Sequence, residues 1–260
     1  MKIAVCQMNV VQGDREHNRK AAGEMIDEAA ENGAQVVVLP EMWTSGYDFP
    51  RLNDHTEQMQ GATVDYLAQK ALEHKIWIVG GSFPVQYSAG TCNTSITFNP
   101  EGKIENVYSK LHLIGLMDED RFLIPGEEFS TYNMGNFEAA TIICYDLRFP
   151  ELARTYALEG ACVIFVPAEW PVQRLEHWRT LLRARAIENQ LYVVAANISG
   201  RNEHDVFQGH SLVIDPWGEV IAEAGDNPQI LYADIEPEKV APIRERMPVF
   251  KDRKPHLYRL

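Results

Sequence analysis

The sequence predicts an α/β fold built on mixed sheets, and three observations carry that reading. Short runs of bulky apolar residues recur at 36–39, 77–79, 140–143, 163–166 and 192–195, as in strands covered on both faces. Helical patterns separate them. Two further pairs of runs are joined directly by turn residues, which adds antiparallel hairpins to a sheet that would otherwise be parallel.

Taken in order, Met1–Met8 alternates as a strand. Between Asn18 and Asn32, Ala22, Met25, Ile26, Ala29 and Ala30 share one helical face, and Gly33 follows as a stop. Val36–Leu39 is a strand closed by Pro40 and Glu41, and Trp77–Val79 is the next. Thr94–Phe98 and Ile104–Tyr108 flank the turn Asn99-Pro-Glu-Gly102, and the second arm runs into Lys110. Ala139–Ile143 ends at Cys144, which opens the turn-like, charge-bearing segment Tyr145-Asp-Leu-Arg-Phe-Pro150. After Val163–Val166, Gln173–Gln190 is the longest helix candidate, with a broken stripe of Leu175, Trp178, Leu181, Leu182 and Ile187. Tyr192–Ala195 follows, and the hairpin of Ser211–Ile214 and Val220–Ala222 across Asp215-Pro-Trp-Gly218 completes the set. Disorder is expected only at the C-terminal tail.

With 260 residues and nothing resembling a linker, the chain reads as one domain spanning 1–260. Lys and Arg number 24 against 37 Asp and Glu, a net charge of −13, which argues against a nucleic-acid partner because phosphates need a basic face. The apolar stretch Ala161–Ala168 is too short to span a bilayer, so neither a membrane partner nor a location outside the cytoplasm is expected. Cys6, Cys92, Cys144 and Cys162 are widely spaced, without C-x-x-C or paired His/Cys spacing, which argues against a metal site. In a reducing compartment disulfides are not expected either. Cys6 and Cys162 read as small buried hydrophobes in strand-like runs, and Cys92, near a turn, is undecided.

Cys144, Glu41 and Lys110 each end an apolar run, the place where a strand hands a side chain to a polar rim. Together they suit acyl transfer, which needs a nucleophile, a group to move its proton to the leaving amine, and positive character at the oxyanion. Ordinary pKa values for Glu and Cys differ by roughly 4 units, about 6 kcal/mol against proton transfer, so the site has to narrow that gap. Burial is expected to raise Glu41, and the Lys110 ammonium to lower Cys144 while holding the oxyanion. The backbone N–H of Tyr145, following the nucleophile at a turn, is the natural second oxyanion donor. His112, His177 and His210 lie in segments better explained as structural, and no G-x-S-x-G elbow occurs.

The segments Leu39-Pro-Glu-Met-Trp43, Tyr108-Ser-Lys-Leu-His-Leu113 and Ile143-Cys-Tyr-Asp-Leu-Arg-Phe-Pro-Glu151 resemble the nitrilase superfamily of carbon-nitrogen hydrolases. Similarity continues through Ala168-Glu-Trp170, His177-Trp178, the stretch 184–190, Gly209-His-Ser211 and Asp215-Pro-Trp-Gly218. The resemblance implies a four-layer α-β-β-α sandwich of two stacked mixed sheets. It also implies Glu41 as base, Lys110 as oxyanion stabiliser and Cys144 as nucleophile, with no cofactor and a homodimeric assembly. A second glutamate lies between lysine and cysteine in the family, and Glu119 is the best match, with Asp118 and Asp120 beside it.

Within the superfamily the chain looks most like the ω-amidase branch, which removes the terminal amide of 2-oxoglutaramate or 2-oxosuccinamate. N-carbamoyl amidases and deaminated-glutathione amidases are the nearest alternatives. A non-catalytic scaffold with this fold has no chemical reason to keep three mutually dependent groups. A carboxylate on the substrate needs a cation or donors; Arg148 and the Tyr47 hydroxyl are the candidates, with Trp170 as a pocket wall. Arg148 pairing with Asp146 or Glu151 is the competing reading. Arg179, Arg183, Arg185 and Glu188, at helical spacing, are read as surface or interface pairs.

Overall fold

The computed structural model describes residues 1–202 and 205–258. Among them run fifteen strands: β1 (Lys2–Gln7), β2 (Val36–Val38), β3 (Trp77–Val79), β4 (Phe83–Tyr87), β5 (Gly90–Phe98), β6 (Ile104–Ser109), β7 (Tyr132–Asn133), β8 (Glu138–Thr141), β9 (Val163–Ala168), β10 (Tyr192–Asn197), β11 (Ser199–Arg201), β12 (Val206–Gln208), β13 (Leu212–Ile214), β14 (Val220–Glu223) and β15 (Gln229–Asp234). The helices are α1 (Arg15–Glu31), α2 (Leu52–His55), α3 (Ala62–His74), α4 (Glu119–Phe122), α5 (Pro150–Leu158), α6 (Leu175–Asn189), α7 (Val240–Arg246) and α8 (Val249–Asp252).

The strands form two large mixed sheets. The first has the order β15-β1-β2-β3-β5-β4 with β6 also on β5, and β1, β2 and β3 are parallel. The second has the order β14-β13-β10-β9-β8-β7, with β8, β9 and β10 parallel. Both predicted hairpins are present, β5 with β6 and β13 with β14.

Strand alternation builds the layers, because successive side chains point to opposite faces. In the first sheet Ala4, Cys6, Val37 and Ile78 pack on α1 and α3 through Ile26, Ala29, Leu67 and Ala71. Their neighbours Ile3, Val5, Val36 and Val38 meet Val163, Phe165, Val194 and Val213 of the second sheet. The opposite face of that sheet, with Ile164, Val166 and Val193, receives Tyr156 of α5 and Trp178 and Leu182 of α6. These three apolar interfaces separate four layers, the α-β-β-α sandwich. Burying each Val, Leu, Ile or Phe contributes about 1.5–3 kcal/mol.

Several details depart from the sequence reading. Helix α1 starts at Arg15, ahead of Asn18, because the Asp14 side chain caps it by accepting from the His17 N–H at 3.0 Å. Helices α3 and α5 were not anticipated. Ile187 does not complete the buried stripe of α6: it is 50% exposed and lies against Gly218, where a Cβ would meet its side chain. Cys92 is buried within β5, whereas Cys162 precedes β9 and is half-buried. The C-terminal segment carries α7, α8 and a 3-10 turn over Pro255–Leu257, and residues 259–260 lie outside the described residues. No helix among the described residues is long and apolar enough to cross a membrane.

Candidate active site

Glu41 follows β2, Lys110 follows β6 directly, and Cys144 lies three residues beyond β8, where it opens a 3-10 turn over Cys144–Arg148. The first two strands belong to one sheet and the third to the other, so the stacking of the sheets brings the three together. Met42, after Glu41, has φ +44°, and so has Cys144 itself. A side chain in this left-handed region is strained by roughly 1–3 kcal/mol and persists only where surrounding contacts fix it.

Lys110 is fully buried and is the hub. Its Nζ donates to Glu41 Oε1 at 2.9 Å, to Glu119 Oε2 at 2.7 Å and to the Tyr47 hydroxyl at 3.2 Å. Burial opposes its charge, but Glu119 and Glu41 outweigh that and hold its pKa well above the usual lysine value. Glu119 also accepts from the Ile114 N–H at 2.9 Å, and its two neighbours Asp118 and Asp120 are exposed. Burial raises the Glu119 pKa against the pull of Lys110.

Glu41 is held on both oxygens. Oε1 accepts from Lys110, from the Tyr47 hydroxyl at 2.9 Å and from Asn93 Nδ2 at 2.8 Å, and Oε2 accepts from the Glu169 N–H at 2.8 Å. Asn93, buried in β5, bridges the two glutamates, since its Nδ2 also donates to Glu119 Oε1 at 3.0 Å. Neither Asn93 nor Glu169 was singled out from the sequence. A polar residue amid Thr91, Cys92, Thr94 and Ser95 looks like an exposed strand face, and the Glu169 contact joins positions 128 residues apart.

The Cys144 thiol lies 3.9 Å from the Glu169 carbonyl oxygen, and the Glu41 charge acts on it. Burial first and the Glu41 charge second push its pKa well above the usual thiol value; Lys110 pulls the other way without offsetting them. Lys110 thus acts in the expected direction, but burial and the Glu41 charge prevail. The Tyr145 N–H, at the start of the turn, has no protein partner among the described residues.

Asp146 fixes the turn. It accepts from the Tyr108 hydroxyl at 2.7 Å, from His112 Nδ1 at 2.7 Å and from the Ile143 N–H at 2.9 Å. Arg185, expected as a surface or interface charge, is instead buried, and donates to the Leu147 carbonyl at 2.9 and 3.1 Å while pairing with Glu188 at 2.7 Å.

Of the predicted substrate contacts, Tyr47 has its hydroxyl committed to Glu41 and Lys110, and its ring borders a cleft of about 950 Å³ with Arg201 and Asp205. Arg148 pairs with neither Asp146 nor Glu151. Its guanidinium lies 4.7 Å from the Trp170 ring centre and 3.4 Å from His177 Nδ1. Trp170 is buried, with its indole N–H donating to the Arg174 carbonyl at 2.8 Å.

Comparison with known proteins gives the same grouping. The family described as carbon-nitrogen hydrolase matches residues 2–245. The 2-oxoglutaramate amidase of Bacillus subtilis (strain 168) is 41% identical over 256 residues, covering 98% of each chain. Omega-amidase NIT2 of Mus musculus is 35% identical over 266 residues, 99% of this chain and 96% of that one. Saccharomyces cerevisiae Nit3, a solved member of branch 10 of the nitrilase superfamily, superposes with a TM-score of 0.88 at 33% identity, covering 95% of this chain and 94% of that one. With the match running nearly from end to end, the chain belongs to the carbon-nitrogen hydrolase family of the nitrilase superfamily.

Proposed function

We propose that the chain is an ω-amidase that hydrolyses the terminal amide of a small 2-oxo dicarboxylic acid monoamide such as 2-oxoglutaramate or 2-oxosuccinamate. The observation that carries this reading is the convergence of Lys110 with Glu41 and Glu119 at 2.9 and 2.7 Å beside the Cys144 thiol. The acyl group is argued from the likeness to proteins named for that amide.

Cys144 Sγ attacks the amide carbon as its proton passes to Glu41, so ionisation accompanies attack by a thiol whose pKa burial raises. Lys110 and the Tyr145 N–H stabilise the oxyanion. Glu41 delivers the proton to the departing amine, releasing ammonia and leaving a thioester. Water then adds as Glu41 takes its proton, and collapse frees the carboxylic acid and restores the thiol. Glu119 positions Lys110. The substrate carboxylate is read near Arg148, whose guanidinium lies over the Trp170 ring, and Trp170 forms a wall.

The enzyme works as a single domain in the cytoplasm and as a homodimer. The exposed Ile187 of α6 and Val220 of β14, which line one groove, support the assembly. Ammonia release across 2-oxoglutaramate, 2-oxosuccinamate, carbamoyl amino acids and aliphatic amides tests the reading. Preference for the two oxo acid monoamides is expected, and activity confined to carbamoyl amino acids overturns it.

A further inference from the structure

Charge balance singles out one side chain of the site. Three glutamates, Glu41, Glu119 and Glu169, are buried around the single ammonium of Lys110. Lys110 pairs directly with Glu41 and Glu119. Glu169 has no ion pair among the described residues, and three ionised carboxylates against one cation would leave buried negative charge uncompensated. The groups acting on Glu169 are Glu41, Lys110, Asp205 and Glu119; burial first and Glu41 second place its pKa well above the ordinary 4.5.

The backbone of this residue is locked into the reacting centre, since its N–H binds Glu41 and its carbonyl faces the Cys144 thiol. The carboxyl, 2% exposed, nevertheless leaves Oε2 buried with no hydrogen-bond partner. A buried oxygen without a partner is unfavourable in a folded protein. The charges of the Glu41 carboxylate and of Asp205, which lines the cleft, both act on this carboxyl, and a ligand entering from that cleft would complete its bonding.

We propose that Glu169 is a specificity-determining residue that acts as a neutral acid, donating its O–H to an oxygen acceptor on the acyl chain of the bound amide. A 2-oxo acid monoamide carries such acceptors and a plain aliphatic amide does not. Glu169 makes and breaks no covalent bond with the substrate. The inference rests on the amidase reading above.

The test compares the parent with Glu169→Ala and Glu169→Gln on 2-oxoglutaramate and on pentanamide, which has the same five-carbon chain without the oxo and carboxylate groups. For Glu169→Ala, KM for 2-oxoglutaramate should rise about tenfold with kcat changed less, and KM for pentanamide by less than about threefold. Glu169→Gln, still a neutral donor, should restore most of that loss, and the high-pH decline of kcat/KM in the parent should be absent from it. Equal losses on both substrates, or a Gln variant as impaired as the Ala variant with its fold intact by circular dichroism, overturn the inference alone. A parent that hydrolyses none of the amide panel overturns the functional reading and this inference with it.

Discussion

The Tyr108 hydroxyl donates to Asp146 Oδ2 at 2.7 Å with both side chains buried, and so ties the segment carrying Lys110 to the turn carrying Cys144. Tyr108 stands two residues before the lysine and Asp146 two residues after the cysteine, so the bond sets the spacing of ammonium and thiol. In Tyr108→Phe, Asp146 Oδ2 keeps only the Ile143 N–H. We expect a stability loss of about 1–3 kcal/mol by urea unfolding, and a larger fall in kcat than rise in KM. An unchanged kcat would mean that this tie does not position the nucleophile.

The Glu41 charge raises the Cys144 pKa and Lys110 lowers it. Replacing Glu41 by Gln removes the first influence and leaves the second, so the thiol pKa should fall. Glu41→Gln is therefore expected to lose turnover by at least about a hundredfold, as for loss of a general base. Its Cys144 should nevertheless react faster than the parent's with iodoacetamide at neutral pH. Slower alkylation of Cys144 than in the parent would contradict the assigned electrostatics.

Glu41, Lys110 and Cys144 were legible in the sequence because each stands just past the end of a strand, a local event that side-chain type reveals. The supporting shell was not. Asn93 hides in a polar run of β5 whose residues Thr94, Ser95 and Thr97 are all buried. Arg185 looks like any helical surface arginine until α6 is packed beside the Cys144 turn. Ile187 shows the reverse: periodicity assigned it to the core, but the buried stripe of α6 runs through Trp178, Leu182, Arg185, Ala186 and Asn189, and Ile187 lies off it, half in solvent. Layers and strand ends follow from local pattern, whereas hydrogen bonds between residues more than a hundred positions apart depend on how the two sheets stack.

Glu169 binds its proton more tightly in the folded state than in the unfolded chain, where the ordinary value of 4.5 applies. As pH rises above that value the unfolded state releases the proton first, so this group lowers stability progressively toward its folded pKa. Glu169→Gln cannot ionise and escapes that loss. Its Tm should match the parent near pH 4 and exceed it increasingly toward pH 8. A constant Tm difference across that range would contradict a protonated Glu169.

Arg185 donates twice to the Leu147 carbonyl and pairs with Glu188, a forked arrangement that one ammonium cannot reproduce. Both Arg185→Lys and Arg185→Met should destabilise the protein by about 2 kcal/mol or more in denaturant unfolding. Lysine rescuing stability to the parental level would show that charge alone matters here.

The outer face of α6 carries a groove of about 480 Å³ lined by Arg179, Arg183, Ile187, Leu212 and Val220. Ile187 and Val220 are 50% and 42% exposed, an arrangement that leaves apolar surface in water unless a second copy covers it. On the dimer reading, Ile187→Asp places an unpaired carboxylate in that contact and should convert a dimer into a monomer by light scattering at micromolar concentration. Because Ile187 stands outside the catalytic hydrogen-bond network, the change in assembly should leave the far-ultraviolet circular dichroism of the fold intact. A parental chain that is already monomeric at that concentration would end the dimer assignment.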